Sequence, residues 1–165
     1  MPYVTLLQAS QALPASAFEG DDWVMAHPTP KLTADEVNAL IRGAFPLMDD
    51  KGPRVTEVAP GRVSILRPYE EGMLRPGGVI SGPNLMGIAD TAAYALVLAH
   101  VGNQLMAVTS NLNMNFLRGA VPGDIHADAE LLRLGRRNAV CDVRLWTEKP
   151  DRLAAHAIVT YALPG

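Results

Sequence analysis

The spacing of apolar positions changes twice along this chain and divides it into helical and strand-like parts. Val37, Leu40, Ile41 and Ala44 recur at helical spacing behind Thr33-Ala-Asp-Glu36, a capping box with Thr33 as N-cap and Glu36 three residues on. This predicts an amphipathic helix from about Ala34 to Phe45, closed by Pro46, with Asp49, Asp50 and Gly52 forming a turn. The period then falls to two. Arg54 to Ala59 and Arg62 to Leu66 read as strands joined through Pro60-Gly61, a tight hairpin connection. From Ser81 to His100 the period is lost, because nearly every face is apolar; a helix of this kind has to be surrounded by other structure. After Gly102-Asn103, four runs read as strands: Met106 to Leu117, Ile125 to Leu134, Ala139 to Thr147 and Leu153 to Leu163.

The order helix, two strands, long helix, four strands predicts an α+β domain in which one antiparallel sheet wraps one buried helix. A single curled sheet leaves an outer face and an edge strand open, so a dimer or larger assembly is expected. Residues 1 to about 30 carry Pro2, Pro14, Pro28 and Pro30 with Glu19, Asp21 and Asp22, and no long regular element fits them. We read 1–32 as an N-terminal arm or extension, which Phe18 and Trp23 could pin to a neighbouring subunit, and 33–165 as a single domain.

Two features carry candidate chemistry. The central helix has complete start signals, Ser81 and Gly82 as the N-cap region and Pro83 at the first helical position. Asp90 stands inside it among Ile88, Ala89, Ala92 and Ala93, where a bare carboxylate costs several kcal/mol unless it is hydrogen-bonded or paired. The loop from Arg67 to Ile80, with Pro68, Gly72, Pro76, Gly77 and Gly78, leads directly into that helix and suits close backbone approach to a ligand. In the strand that follows, simple alternation puts Thr109, Asn111, Asn113 and Asn115 on one face, where they either line a wet pocket or face solvent.

Composition narrows the classes. The 165 residues are 48% hydrophobic, enough for one real core, and the net charge of −3 argues against a general nucleic-acid binder. A single cysteine, Cys141, excludes an internal disulfide framework and a Cys/His zinc cluster, and reads as a small buried strand residue. Gly77-Gly78 lacks the spacing of a dinucleotide or nucleotide phosphate cradle. The one long apolar helix carries Asp90 and lacks flanking basic anchors, and Met1 to Leu13 lack the pattern of a secretory signal. The expectation is a cytoplasmic protein without a membrane segment or a nucleic-acid partner.

Four segments then resemble a known family: Arg75-Pro-Gly-Gly-Val-Ile-Ser-Gly-Pro-Asn84, Ile88-Ala-Asp-Thr-Ala-Ala-Tyr94, Val108-Thr-Ser-Asn-Leu-Asn-Met-Asn-Phe-Leu-Arg118 and Leu134-Gly-Arg-Arg137. Over about Thr33 to Leu163 the chain resembles the hotdog-fold acyl-CoA thioesterases, most closely the phenylacetic-acid-degradation type of the 4-hydroxybenzoyl-CoA thioesterase superfamily. The resemblance implies a hotdog fold and hydrolysis of an acyl- or aryl-CoA thioester without metal or redox cofactor. It also implies a homodimer or dimer of dimers whose sites are shared between subunits. Asp90 would be general base or nucleophile at the thioester carbonyl, and the Gly82 N–H, at the positive end of the helix, would stabilise the oxyanion, a donor worth about 3 kcal/mol in the transition state. Where the family has His-Gly-Gly this chain has Ser81-Gly82-Pro83, so Ser81 stands in the histidine's place. Thr109 matches a hydroxyl that helps hold the attacking water. Arg118, Arg136 and Arg137 resemble residues that meet coenzyme A phosphates, or are solvated charges; Asn113 would line the acyl pocket and Asn84 would contact substrate.

The histidines weigh against a different hotdog chemistry. Dehydratases and hydratases of this fold pair a histidine with an acid in or beside the helix. Here His27 lies in the arm, His100 at the helix C-terminus, where a cation is favoured, and His126 and His156 on strands. The remaining alternative to an enzyme is a hotdog protein that binds acyl-CoA or a small hydrophobic ligand without turnover.

Overall fold

A computed structural model describes residues 28–45 and 51–164. The expected arm residues Phe18, Trp23 and His27, and the turn expected at Pro46, Asp49 and Asp50, lie outside the described residues.

The elements follow in the expected order. Helix α1 (Ala34–Ala44) starts at Thr33 with both halves of the capping box in place, since the Thr33 N–H donates to Glu36 Oε2 at 2.8 Å and the Glu36 N–H donates to Thr33 Oγ1 at 3.4 Å. Strands β1 (Arg54–Ala59) and β2 (Arg62–Arg67) form a hairpin that turns at Gly61, whose φ of 69° is open to glycine at no steric cost. The segment expected as a plain loop contains a 3-10 turn (Glu71–Met73) and a small ribbon, β3 (Leu74–Arg75) with β4 (Val79–Ile80), reversing at Gly77 and Gly78 with φ of 101° and 71°. Helix α2 (Gly82–Val101) follows at once and ends at Gly102. Then come β5 (Val108–Phe116), β6 (Ile125–Leu134), β7 (Asn138–Trp146) and β8 (Ala155–Ala162).

The sheet is antiparallel, in the order β1-β2-β6-β7-β8-β5, and α2 lies in its concave side against β2, β6, β7 and β8. This is the α+β hotdog architecture: a curled antiparallel sheet wrapped around one long central helix. The alternation in β8 is plain, with Ala155, Ala157, Val159 and Tyr161 buried against the helix and the residues between them half-buried on the other face. Cys141 is fully buried on β7, as expected for a small strand residue.

From Ala92 to His100 every residue of α2 is buried. His100 is part of that core and not a surface cation. Its Nδ1 is 2.8 Å from Leu96 O and its Nε2 accepts the Gly61 N–H at 2.9 Å. An imidazole that accepts at one nitrogen is neutral, so this ring ties the helix end to the β1–β2 turn. The first half of α2 differs, because Pro83, Met86 and Gly87 are exposed and Asp90 half-buried, a stripe at helical spacing that the sheet leaves uncovered.

Candidate active site

Asp90 emerges from α2 along that stripe, and its cost is met locally. The Thr109 hydroxyl donates to Asp90 Oδ1 at 2.6 Å, and the Tyr161 hydroxyl donates to the same oxygen at 2.8 Å. The carboxylate is thus half-buried and twice hydrogen-bonded, not stranded among alanines. It opens on a cleft of about 610 Å³ whose apolar walls include Ile41 and Phe45 of the α1 end, Tyr94, Leu105 and Val108. Tyr94 stacks on Tyr161 with ring centroids 5.7 Å apart, and Phe45 meets Tyr94 edge-on at 6.4 Å. Burial, with the Asp90 charge beside it, pushes the Tyr161 phenol well above its ordinary range; the Thr109 hydroxyl pulls the other way without undoing this. Tyr161 therefore stays a donor.

Thr109 reaches Asp90 for a reason that simple alternation misses. Thr109 lies opposite Tyr161, but Asn111 lies opposite Thr160, so one extra residue, Ser110, bulges out of β5. Across the bulge the faces exchange. Thr109 joins Leu112 and Met114 on the helix side, whereas Asn111, Asn113 and Asn115 point outward and are exposed. The expected four-residue polar face does not exist, and Asn113 stands on the opposite side of the sheet from the Asp90 cleft. Tyr161 was missed because β8 reads as an ordinary core alternation; a terminal tyrosine on an otherwise small-residue face was its only signal.

At the start of α2, Ser81 occupies the N-cap position but caps no backbone N–H. Its hydroxyl oxygen instead accepts from Asn84 Nδ2 at 2.8 Å, and that amide also donates to Met73 O at 3.1 Å. Asn84, expected against substrate, is thus committed by its amide to bracing the helix entry. Gly82 is the first helical residue, so its N–H has no intrahelical partner. A Cβ on Gly82 would come within 3.2 Å of the Phe116 ring, and a cleft of about 340 Å³ beside it is lined by Arg75, Phe116 and Arg118.

These two centres are separate within one subunit. Eight residues of helix divide Gly82 from Asp90, about 12 Å at 1.5 Å per residue. The basic residues are separated as well. Phe116, Ala155 and Leu145 align at one end of the sheet and Val108, Ala162 and Asn138 at the other. Arg118 follows Phe116 at the first end, and Arg136 and Arg137 precede Asn138 at the second, about 25 Å away over eight residues of strand. All three are exposed.

Comparison with known proteins gives concordant results. A family model described as the thioesterase superfamily matches residues 77–154, from the β3–β4 reversal to the edge of β8. A crystal structure named as a "putative thioesterase" from Silicibacter sp. TM1040 is 34% identical with a TM-score of 0.77, over 84% of this chain and 96% of that one. A variant of the phenylacetic acid degradation protein PaaI from Thermus thermophilus is 25% identical with a TM-score of 0.61, over 71% of this chain and 97% of that one. A "putative esterase" of Thermoplasma acidophilum is 28% identical over 89 residues, 54% of this chain and 67% of that protein.

Proposed function

We propose, given that the chain belongs to the thioesterase superfamily and is a thioester hydrolase, that its substrate is an acyl- or aryl-CoA thioester, cleaved in a site built between two subunits. The observation that carries this reading is the pairing of Asp90, held by two donors beside an apolar cleft, with a helix N-terminus too far away to serve the same carbonyl in one subunit.

Strand geometry supports the sharing. β5 is an edge strand, and along it Val108 and Phe116 are 57% and 53% exposed, with Met86 of the α2 stripe 41% exposed alongside. A second copy joined antiparallel along β5 covers this apolar edge. Antiparallel pairing sets the Phe116 end of one strand beside the Val108 end of the other. Gly82 and Arg118 of one subunit then approach Asp90 of the partner subunit, and Arg118 approaches Arg136 and Arg137 of the partner subunit. The three arginines separated in one chain become a basic rim suited to the phosphates of coenzyme A, while Phe45, Tyr94 and Leu105 receive the acyl group.

In this site Asp90 takes a proton from a water that attacks the thioester carbonyl. Attack by its own oxygen, to give an anhydride that water then opens, serves the same balance. The oxyanion of the tetrahedral intermediate accepts the Gly82 N–H. Ser81 adds a second donor: its oxygen is occupied by the Asn84 amide, which leaves its O–H proton for the oxyanion. Collapse expels the coenzyme A thiolate, which takes up a proton, and the products are a carboxylic acid and free coenzyme A. Asn113 takes no part in this arrangement, and we place the protein in the cytoplasm.

The test is a panel of acyl- and aryl-CoAs with released thiol measured. Wild type releases thiol, and Asp90→Asn loses at least about a hundredfold in kcat, the scale set by removal of a general base. Equal release by the two proteins on every substrate refutes the reading.

A further inference from the structure

Tyr161 belongs to none of the anticipated site residues, yet it lines the Asp90 cleft and is only 3% exposed. It donates to Asp90 Oδ1 at 2.8 Å and lies 3.2 Å from the Asp90 carbonyl oxygen. Thr109 donates to the same Oδ1 from the opposite strand position. Among the described residues nothing bonds Asp90 Oδ2. The terminal torsion of an aspartate is broad and roughly two-fold, so an unrestrained carboxylate exchanges its two oxygens. Two donors converging on one oxygen remove that freedom and leave the other for the reacting atom. The Tyr161 ring itself cannot swing away, because it stacks on Tyr94, whose own hydroxyl is anchored on Leu105 O at 3.0 Å.

We propose that Tyr161 is a positioning residue for the hydrolysis, which together with Thr109 clamps Oδ1 of Asp90 so that Oδ2 alone faces the water or acyl carbon. The Ser110 bulge is part of the device, since it brings Thr109 to the same face as Tyr161. The clamp rests on the reading of Asp90 as the residue that carries the chemistry.

Tyr161→Phe keeps the stacked ring and deletes the donor. Its kcat falls about 10- to 100-fold, the range for one hydrogen bond to a charged group, while KM for the acyl-CoA changes less than about twofold, because uniform binding is untouched. The melting temperature stays within a few degrees of wild type. Thr109→Val, made on the exposed edge strand, reads the other half of the clamp and shows the same split, which keeps the test open if Tyr161→Phe fails to fold. Thr109→Ser, which retains a hydroxyl, keeps most of the activity. Asp90→Asn is assayed beside them. If Asp90→Asn is inactive and a folded Tyr161→Phe keeps wild-type kcat, or Thr109→Val does where Tyr161→Phe fails to fold, the clamp is refuted and the Asp90 reading stands. If Asp90→Asn keeps wild-type kcat, the Asp90 reading fails and takes the clamp with it. A loss confined to KM, or one that Thr109→Ser shares in full with Thr109→Val, also overturns the clamp.

Discussion

A shared site predicts that two inactive variants rescue each other. The perturbations are Gly82→Pro and Asp90→Asn. Gly82 is the first residue of α2, where no intrahelical bond is lost on removing the N–H, and Ser81 before it already has φ −72° and ψ 149°, the extended conformation that a residue preceding proline must adopt. The added ring crowds Phe116, whose half-exposed side chain has room to give. Gly82→Pro therefore removes one oxyanion donor, worth about 3 kcal/mol or roughly a hundredfold in kcat; because residue 82 itself precedes Pro83, whose ring disfavours a helical side-chain-bearing residue before it, an unchanged melting temperature is required before the loss is read. Since Gly82 and Asp90 stand about 12 Å apart on one helix, each subunit of a mixed dimer gives its two groups to different sites, and the two intact groups meet in the same one. One site then has both variant groups and the other has neither. Random pairing of equal pools makes about half the dimers mixed, and so leaves about a quarter of all sites intact in a two-fold assembly. The variants are purified separately, then unfolded and refolded together, and thiol release is compared with that of the separate refolded pools. Activity near a quarter of wild type is expected. A mixture no more active than its parts, from pools shown by two affinity tags to have exchanged subunits, would show that each site is built within one chain.

Other predictions concern the frame around the site. His100→Ala leaves the buried Gly61 N–H without its acceptor, so stability measured by urea titration falls by about 1–3 kcal/mol; no change would mean that the β1–β2 turn is held by other contacts. Thr33→Ala removes the capping-box hydroxyl of α1 and costs about 1 kcal/mol in the same assay. Burial holds the Cys141 thiol at about 12 against an ordinary 9.0. The unfolded chain ionises first, so this contribution to stability is complete below pH 9 and is lost as pH rises toward 12, at up to about 1.4 kcal/mol per pH unit. Denaturant titrations at pH 8 and pH 10.5 measure the loss, and Cys141→Ala should flatten it.

How far the sequence revealed this molecule depends on the range over which each feature is encoded. Capping signals and apolar period act within a few residues, and they located α1, α2 and the long strands to within one or two positions. The β3–β4 ribbon escaped because two-residue strands leave no period; only Gly77 and Gly78 marked its reversal. Side-chain partners across the fold were less accessible. Asn84 beside Ser81 is a local pair, but the amide's second acceptor, Met73 O, belongs to the segment before the helix. Tyr161 and Asp90 are 71 residues apart, and nothing local distinguishes that hydroxyl from any buried tyrosine's.

Thr109 shows the limit most clearly, since the resemblance named it while alternation grouped it with Asn111, Asn113 and Asn115, which point the other way. A period of two is reliable only while the ladder is regular, and a bulge of one residue reverses every assignment on its far side. Ser110 carries no turn signature that would announce the reversal. The reason for it lies across the sheet, where Tyr161 and Asp90 gain a third polar partner in a place that alternation would have given to Val108 or Ser110. The cost of a carboxylate in an apolar helix is resolved in the same way. The uncovered stripe of Pro83, Met86 and Gly87 lets Asp90 reach a cleft, and the β5 edge beside it holds Thr109. The strand that satisfies the acid is thus also the exposed apolar edge on which a second subunit would bring its own Gly82. In the proposed dimer, assembly and acid positioning fall on one strand, and a charge placed on its exposed end, such as Phe116→Lys, is expected to lower dimer content and activity together when light scattering and thiol release are measured on the same samples.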